Sequence, residues 1–388
     1  MKRGIVLVLA LLILAAVQEC VSLGGPAAVR GMWETRDLTA EEALYQGLYD
    51  QEETIWLGRY QLDEPALQNL WNRVVCDSPE LFYLGGTYEY AMSGGRVLYA
   101  SPAYTLTGDA LADARAEYDR AIADILSGLD EAWTDAETAL YLHDYMVTHY
   151  TYDESLAGYD AYQMLMEGTG VCQAYTLTYQ ALLREAGIDC RYVLSDEMDH
   201  SWNLVNIDGA WYHADLTFDD PTCDRLGRAN HDYFLVSDKK LAADHPGMES
   251  PFPCTSTAYD DAAWTAADSG FVSVGGTLYA IAGGQLCQWD DGILTPLLSI
   301  PDLWYTDGGT ACWDGCFSVL DTDGTLLYYN TPGAIRSYDP AAGVSETVCT
   351  YTGDGDIFGF LLAEDGSFTC QIAHSPNEPG SRVRLTGS

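Results

Sequence analysis

Three residues in the middle of the chain have the types and the order that thiol chemistry requires: Cys172, His200 and Asp215. A thiolate supplies the nucleophile, an imidazole moves the proton, and a carboxylate fixes the tautomer and orientation of the imidazole. A free thiol has a pKa near ~8.5, so a nucleophilic cysteine needs a helix N-terminus or a neighbouring imidazolium to ionise. Cys172 follows the turn Gly168-Thr169-Gly170 and opens a segment with Leu177, Leu182 and Leu183 at helical spacing. That puts its sulfur in a first helical turn, where unpaired amides favour an anion and can hold an oxyanion. Alone, such a cysteine is equally well explained as a small core residue.

The histidine and the aspartate shift that balance. Asp208-Gly209 is a two-residue hairpin signal between alternating segments. With these two as the loop, Ile207 pairs with Ala210, His200 falls opposite Thr217, and Asp215 lies one pleat away on the same face. An imidazole reaches a diagonal carboxylate at that spacing. His213 shares the face but has no comparable acidic partner in this reading, so its expected role is structural. His143, His149, His231, His245 and His374 are expected to be structural or exposed. Trp202 and Trp211 fall on the same face and suit a cleft wall or a core, whereas Asp219 and Asp220 read as turn or capping residues.

The elements that must hold these residues follow an α+β order, helices first and then a sheet. Capping boxes at Thr39/Glu42 and Thr134/Glu137 start two helices, and Asp63 with Pro65 starts a third. Ile55–Leu62 reads as a strand, and Leu81–Tyr90 with Val97–Leu106 reads as a hairpin. The helix from Cys172 ends at Gly187, and strands are expected at Cys190–Leu194, His200–Ile207, Ala210–Leu216 and Asp232–Val236. Beyond Phe252 helical periodicity vanishes. Short strands are punctuated there by Gly275-Gly276, Gly283-Gly284, Asp291-Gly292, Asp323-Gly324 and Asp365-Gly366. The expected organisation is a lead-in α+β region at 38–133, a catalytic domain at 134–250, and an all-β module at 252–388, either a sandwich or an incomplete propeller.

Composition narrows the partners. The chain has 58 Asp and Glu against 18 Lys and Arg, a net charge of −40, which repels phosphate backbones and argues against nucleic acid. With 48% hydrophobic residues it is nevertheless a folding sequence. Lys2 and Arg3 precede an apolar run from Gly4 to Val17, the pattern of an export signal or uncleaved anchor within residues 1–24. The expected location is therefore the cell surface or beyond, with any membrane contact confined to that segment, uncleaved or lipidated at Cys20. Export permits disulfides among the remaining cysteines. No cofactor or metal is called for: Cys312 and Cys316 lack a second pair, and neither Asp321/Asp323 nor Asp354/Asp356 continues into a calcium loop.

Several longer words join the three residues. They are G-T-G-V-C-Q-A-Y at 168–175, A-L-L-R-E-A-G-I at 181–188, H-S-W-N at 200–203, D-G-A-W-Y-H-A-D at 208–215, T-F-D-D-P at 217–221 and Y-F-L-V-S at 233–237. Together they resemble the transglutaminase-like superfamily, bacterial extracellular type, over roughly residues 134 to 245. The resemblance implies a papain-like fold and a triad of Cys172, His200 and Asp215. It also implies an upstream aromatic or amide side chain near the oxyanion, for which Tyr152 and Gln163 are the candidates. The expected activity is cleavage of a peptide or amide bond through a Cys172 thioester, with cell-wall peptide or surface protein as substrate. The alternatives are transfer to an amine, which crosslinks proteins, and a surface binding protein with a vestigial triad.

Overall fold

The computed structural model describes residues 3–7, 17–19, 38–220, 225–248, 250–305, 314–376 and 378–387. Most of the apolar N-terminal run, Cys20, Pro221, Cys223 and Cys312 lie outside them. Two strands lie at the ends of that run, β1 (Arg3–Leu7) and β2 (Val17–Glu19). They extend a sheet formed with β3 (Ile55–Trp56), β4 (Leu84–Ser93) and β5 (Arg96–Tyr104), in the order β2-β1-β4-β5-β3. Helices α1 (Ala40–Tyr49) and α2 (Glu64–Cys76) begin at the expected capping box and at the expected Asp63 cap. Their apolar faces close a small core with the sheet, in which Trp71 stacks on Tyr88 at 3.9 Å. The strand expected over Ile55–Leu62 stops after two residues. A 3-10 turn at Gly58–Tyr60 follows, and Gln61, in the left-handed region at φ 55°, carries the chain off the strand path.

Next come α3 (Gly108–Leu126), α4 (Asp135–His149), β6 (Thr151–Tyr152), α5 (Ala161–Glu167), β7 (Thr169–Gly170) and α6 (Cys172–Glu185). Helix α6 is the axis of this region. Every residue of it except Gln173, Arg184 and Glu185 is buried, as expected of a helix covered on all sides. One side of α6 meets α4 and α5, and the other meets an antiparallel sheet ordered β11-β10-β9-β8. These strands are β8 (Cys190–Ser195), β9 (His200–Ile207), β10 (Ala210–Ala214) and β11 (Phe234–Val236). The one-turn helices α7 (Leu216–Asp219) and α8 (Asp238–Leu241) flank β11.

The remainder is strand. A four-stranded meander runs through β12 (Val272–Val274), β13 (Thr277–Ala282), β14 (Gln285–Asp290) and β15 (Ile293–Ser299). A short pair follows, β16 (Trp304–Tyr305) with β17 (Asp314–Gly315). A second meander contains β18 (Leu320–Thr322), β19 (Leu327–Thr331), β20 (Ala334–Asp339) and β21 (Val344–Thr350), and a three-stranded one contains β22 (Asp356–Leu362), β23 (Ser367–Ala373) and β24 (Ser381–Thr386). Strand β12 lies against β18, and β18 against β22, so the leading strands of the three meanders meet. Asp323 is a turn residue, accepting the backbone N–H groups of Thr325 and Leu326.

This β region does not stand apart from the helices. Trp264, Phe271, Leu278, Ala280 and Trp289 share one continuous core with Leu140, Tyr179 and Phe234. Trp133 donates its indole N–H to the Gly276 carbonyl at 2.7 Å, and Trp289 donates its own to Glu137 at 2.9 Å. Among the described residues the cysteines are unpaired thiols.

Candidate active site

The G-T-G word has a steric cause. Gly168 closes α5 in the left-handed conformation, φ 72°. Gly170 then runs so close to α6 that a Cβ on it would sit 2.5 Å from the Cβ of Ala174. Strand β7 pairs in parallel with β6, placing Tyr152 opposite Gly170, two residues before the cysteine. Cys172 is the first residue of α6, and no side chain caps that helix. Its first-turn amides are therefore the unpaired donors that favour an anion, worth ~0.3–1 kcal/mol at an exposed terminus and up to ~2 kcal/mol when partly buried.

The H-S-W-N word is explained by strand alternation. Ser201 and Asn203 face α6: the Ser201 hydroxyl lies 3.2 Å from that of Thr176, and Asn203 donates to the Thr176 carbonyl at 3.0 Å. These bonds dock the histidine strand on the cysteine helix. His200 and Trp202 occupy the other parity, with rings stacked at 5.7 Å. Trp202 is held in turn by His213, whose Nδ1 accepts the indole N–H at 2.9 Å and whose Nε2 lies 2.9 Å from Asp238. His213 thus has an acidic partner, which the hairpin reading did not foresee because Asp238 lies beyond the hairpin on α8. Burial, set only partly against by Asp238, lowers its pKa. Trp211 stacks on Phe252 at 4.6 Å, outside the cleft.

Asp208 and Gly209 both have positive φ, 52° and 83°, and Ala210 pairs with Ile207 as expected. The pairing runs out to Ala214 opposite Asn203 and then stops. His200 therefore does not face Thr217. Its neighbour across the sheet is Ser195 of β8, and Asp215 leaves β10 to cap α7, its Oδ1 accepting the Phe218 N–H at 3.1 Å. The other oxygen of Asp215 lies 2.6 Å from Nε2 of His200. The expected contact forms, through a helix cap in place of a longer strand.

Asp215 is fully buried and His200 nearly so. Burial works against a charged imidazole, but the charge and hydrogen bond of Asp215, with a further hydrogen bond to Cys172, outweigh it and raise His200 to about 10. Burial also pushes the Asp215 carboxyl up, yet His200 and His245 beside it hold it below the usual carboxylate range. His245 was expected to be structural or exposed. It is buried, with Nε2 3.0 Å from the same Asp215 oxygen that meets His200.

Cys172 and His200 open into a cavity of about 440 Å³, lined also by Tyr152, Met198, Asp199, Thr217, Phe218, Asp220 and Asn230. Of the two oxyanion candidates, Tyr152 is on this wall. Gln163 lies on α5, 3.2 Å from Glu167, and does not line it. Asp220 accepts the Tyr175 hydroxyl at 2.6 Å and also faces the cavity, so its role exceeds a turn. A larger cavity of about 590 Å³, between Tyr45, Tyr118 and Arg184, holds neither cysteine nor histidine.

A second imidazole–carboxylate cluster is sealed in the interior. His143 lies 2.7 Å from Asp144 and 3.1 Å from Asp219, and His231 lies 2.9 Å from Asp144. Asp144 also accepts the Phe271 N–H, and Asp219 accepts that of Tyr233 at 3.1 Å. Burial opposes charge on His143, but the two carboxylates raise it to about 9. Asp219, read from sequence as a turn or capping residue, is thus a buried ionic partner. His149 and His374 are exposed.

Parts of the chain are similar to known proteins. Residues 123–216 match the family model described as the transglutaminase-like superfamily, a stretch that runs from α3 to the residue after Asp215. Kyphoscoliosis peptidase of Homo sapiens is 25% identical over 157 residues, 34% of this chain and 23% of that protein. The chain therefore spans less than a quarter of that relative's length. Among solved structures, one from Cytophaga hutchinsonii described as a candidate cysteine protease is 19% identical, covering 26% of this chain and 37% of the other, with a TM-score of 0.23. Another, described as a TGase, is 14% identical, covering 40% and 48%, with a TM-score of 0.25. The segment that presents Cys172, His200 and Asp215 is thus the part of the chain that matches the transglutaminase-like superfamily.

Proposed function

We propose that the protein is a cysteine-dependent acyl-transfer enzyme that cleaves a peptide or amide bond. The observation that carries this reading is the juxtaposition in one open cavity of Cys172, at an uncapped helix start, with His200 backed by buried Asp215. In the proposed reaction the Cys172 sulfur adds to the carbonyl carbon, and the oxyanion is held by first-turn amides with Tyr152 alongside. The C–N bond breaks as the His200 imidazolium protonates the leaving nitrogen, leaving a thioester. His200 then takes a proton from water, the thioester is hydrolysed, and the thiol is regenerated.

A second reading keeps the first half and replaces water by an amine. It is favoured by the cavity wall, where the carboxylates Asp199 and Asp220 and the rings of Tyr152 and Phe218 suit a cationic amine, while among the described residues no Lys or Arg lines it. Peptide or protein substrates follow from either reading, with cell-wall peptide or surface protein as the proposed class. The export reading rests on Lys2, Arg3 and the apolar run to Val17, and fractionation of producing cells tests it.

The test is covalent. Iodoacetamide at neutral pH should label Cys172 faster than the other thiols, and the label should vanish in Cys172→Ala and weaken in His200→Ala. Equal labelling of several cysteines would sink the enzymatic reading and favour a binding protein. Trapping the acyl-enzyme with an activated ester and comparing water with added amines separates hydrolase from transferase.

A further inference from the structure

We propose that His245 is a positioning residue for Asp215, so that the working unit is four residues and not three. The proposal deepens the acyl-transfer reading and rests on it. Three observations on different elements carry it. His245 follows α8, thirty residues beyond Asp215, yet its Nε2 ends 3.0 Å from the oxygen of Asp215 that lies 2.6 Å from His200. Its other ring nitrogen, Nδ1, lies 2.7 Å from Oδ1 of Asp244, whose second oxygen accepts the Tyr233 hydroxyl at 2.6 Å. The His245 side chain is wholly buried, walled by Trp202 at 5.1 Å, Phe218 at 4.6 Å and Tyr233 at 5.4 Å.

The physical consequence concerns rotation of a carboxylate. Asp215 has two oxygens and three donors. Oδ1 is committed to the Phe218 N–H, and Oδ2 receives His200 and His245 from two sides. With one donor per oxygen the carboxylate can tilt about its terminal torsion, and the imidazole of His200 tilts with it. The second donor on Oδ2 fixes that torsion and aims His200 at Cys172. The charged and titratable groups facing the pair are His200 and Asp215 at the cleft, Asp244 and Tyr233 on the far side, and His213 behind Trp202.

Two amide side chains dissect the ring. Glutamine places its N–H where Nε2 sits, and asparagine places its N–H where Nδ1 sits. His245→Gln therefore keeps the Asp215 contact and loses Asp244, and His245→Asn does the reverse. The measurement is the rate of Cys172 alkylation by iodoacetamide across pH on the full chain, with a melting curve for each variant. In His245→Ala and His245→Asn the rate should fall roughly tenfold to a hundredfold, as outer-partner losses do elsewhere. The alkaline limb that reports His200 should shift from its parental position in both, and His245→Gln should recover most of the rate. Equal losses in Gln and Asn with unmoved limbs, or unchanged rates in all three, would overturn the proposal while leaving the thiol reading intact. If wild-type Cys172 reacts no faster than the other thiols, both fall together. Should His245→Ala fail to fold, the Gln and Asn pair decides.

Discussion

Two buried clusters among the described residues are made from the same parts. In one, His200 and His245 share Asp215; in the other, Asp144 and Asp219 share His143, with His231 on the far side of Asp144. The distances overlap, both clusters are buried, and both raise a histidine above its ordinary value, to about 10 and about 9. They differ in what stands at the end. His200 meets a thiol and a cavity of about 440 Å³, whereas the contacts of His143 and His231 end in backbone N–H groups and packed rings. A perturbed pKa and a tight imidazole–carboxylate bond therefore do not distinguish a site from a staple. Access and a nucleophile do.

The comparison can be broken most decisively at the nucleophile. Under the proposed acyl-transfer reaction, Cys172→Ala should lower thiol-dependent turnover by at least ~1,000-fold while leaving the melting temperature near that of the parent, the pattern expected when a nucleophile is removed without disturbing the core. Activity surviving that change would make the two clusters equivalent. His143→Ala should do the opposite. Removing one partner from a buried ionic cluster costs about 3–5 kcal/mol, read in urea melts, and the alkylation rate of the folded fraction should stay at the parental value. Gly170→Ala should touch both properties. Its new Cβ would lie 2.5 Å from that of Ala174, an overlap worth about 1–3 kcal/mol that also displaces the first turn bearing Cys172.

The gentlest probe is pH. His143 and His200 titrate above the usual value for histidine, so their stabilising contribution is complete below about pH 6.5. It should be lost as pH rises through about 9 to 10. Asp144 and Asp215 are held below the usual carboxylate range, so what they contribute is present above about pH 4 and should fade as pH falls further. Melting curves should show a plateau between about pH 4 and about pH 6.5. In His143→Gln the alkaline decline in stability should shrink, while the alkaline limb of Cys172 alkylation stays where it was.

The contrast also marks how far sequence reaches. The hairpin through Asp208-Gly209 was legible because a two-residue turn fixes register, and register fixes which side chains share a face. The start of α6 and the capping boxes were legible for the same local reason. Apart from the places where strands end, the failures are nonlocal. Asp215 ends its strand as a cap, which alternation alone does not reveal. His245 reaches Asp215 across β11 and α8, and His143 finds Asp219 and His231 from the far side of α6, with no periodicity linking them. The sharing of one core between α4 and β13–β14 likewise depends on the indoles of Trp133 and Trp289 crossing between regions that look separate by composition.

One turn of helix carries a consequence of its own. Helix α7 is capped by Asp215 and ends at Asp219, so a single backbone turn bears a carboxylate of each cluster. The inner one reaches α4, and from there, through Asp144, the backbone of Phe271 at the entrance to the β region. Loosening that entrance or the thiol's own support thus means turning the same short cylinder. The two should be lost in one cooperative step on heating, with no window in which the β region has come away and the thiol remains primed. Reactivity of Cys172 then becomes a chemical thermometer for the integrity of the whole assembly.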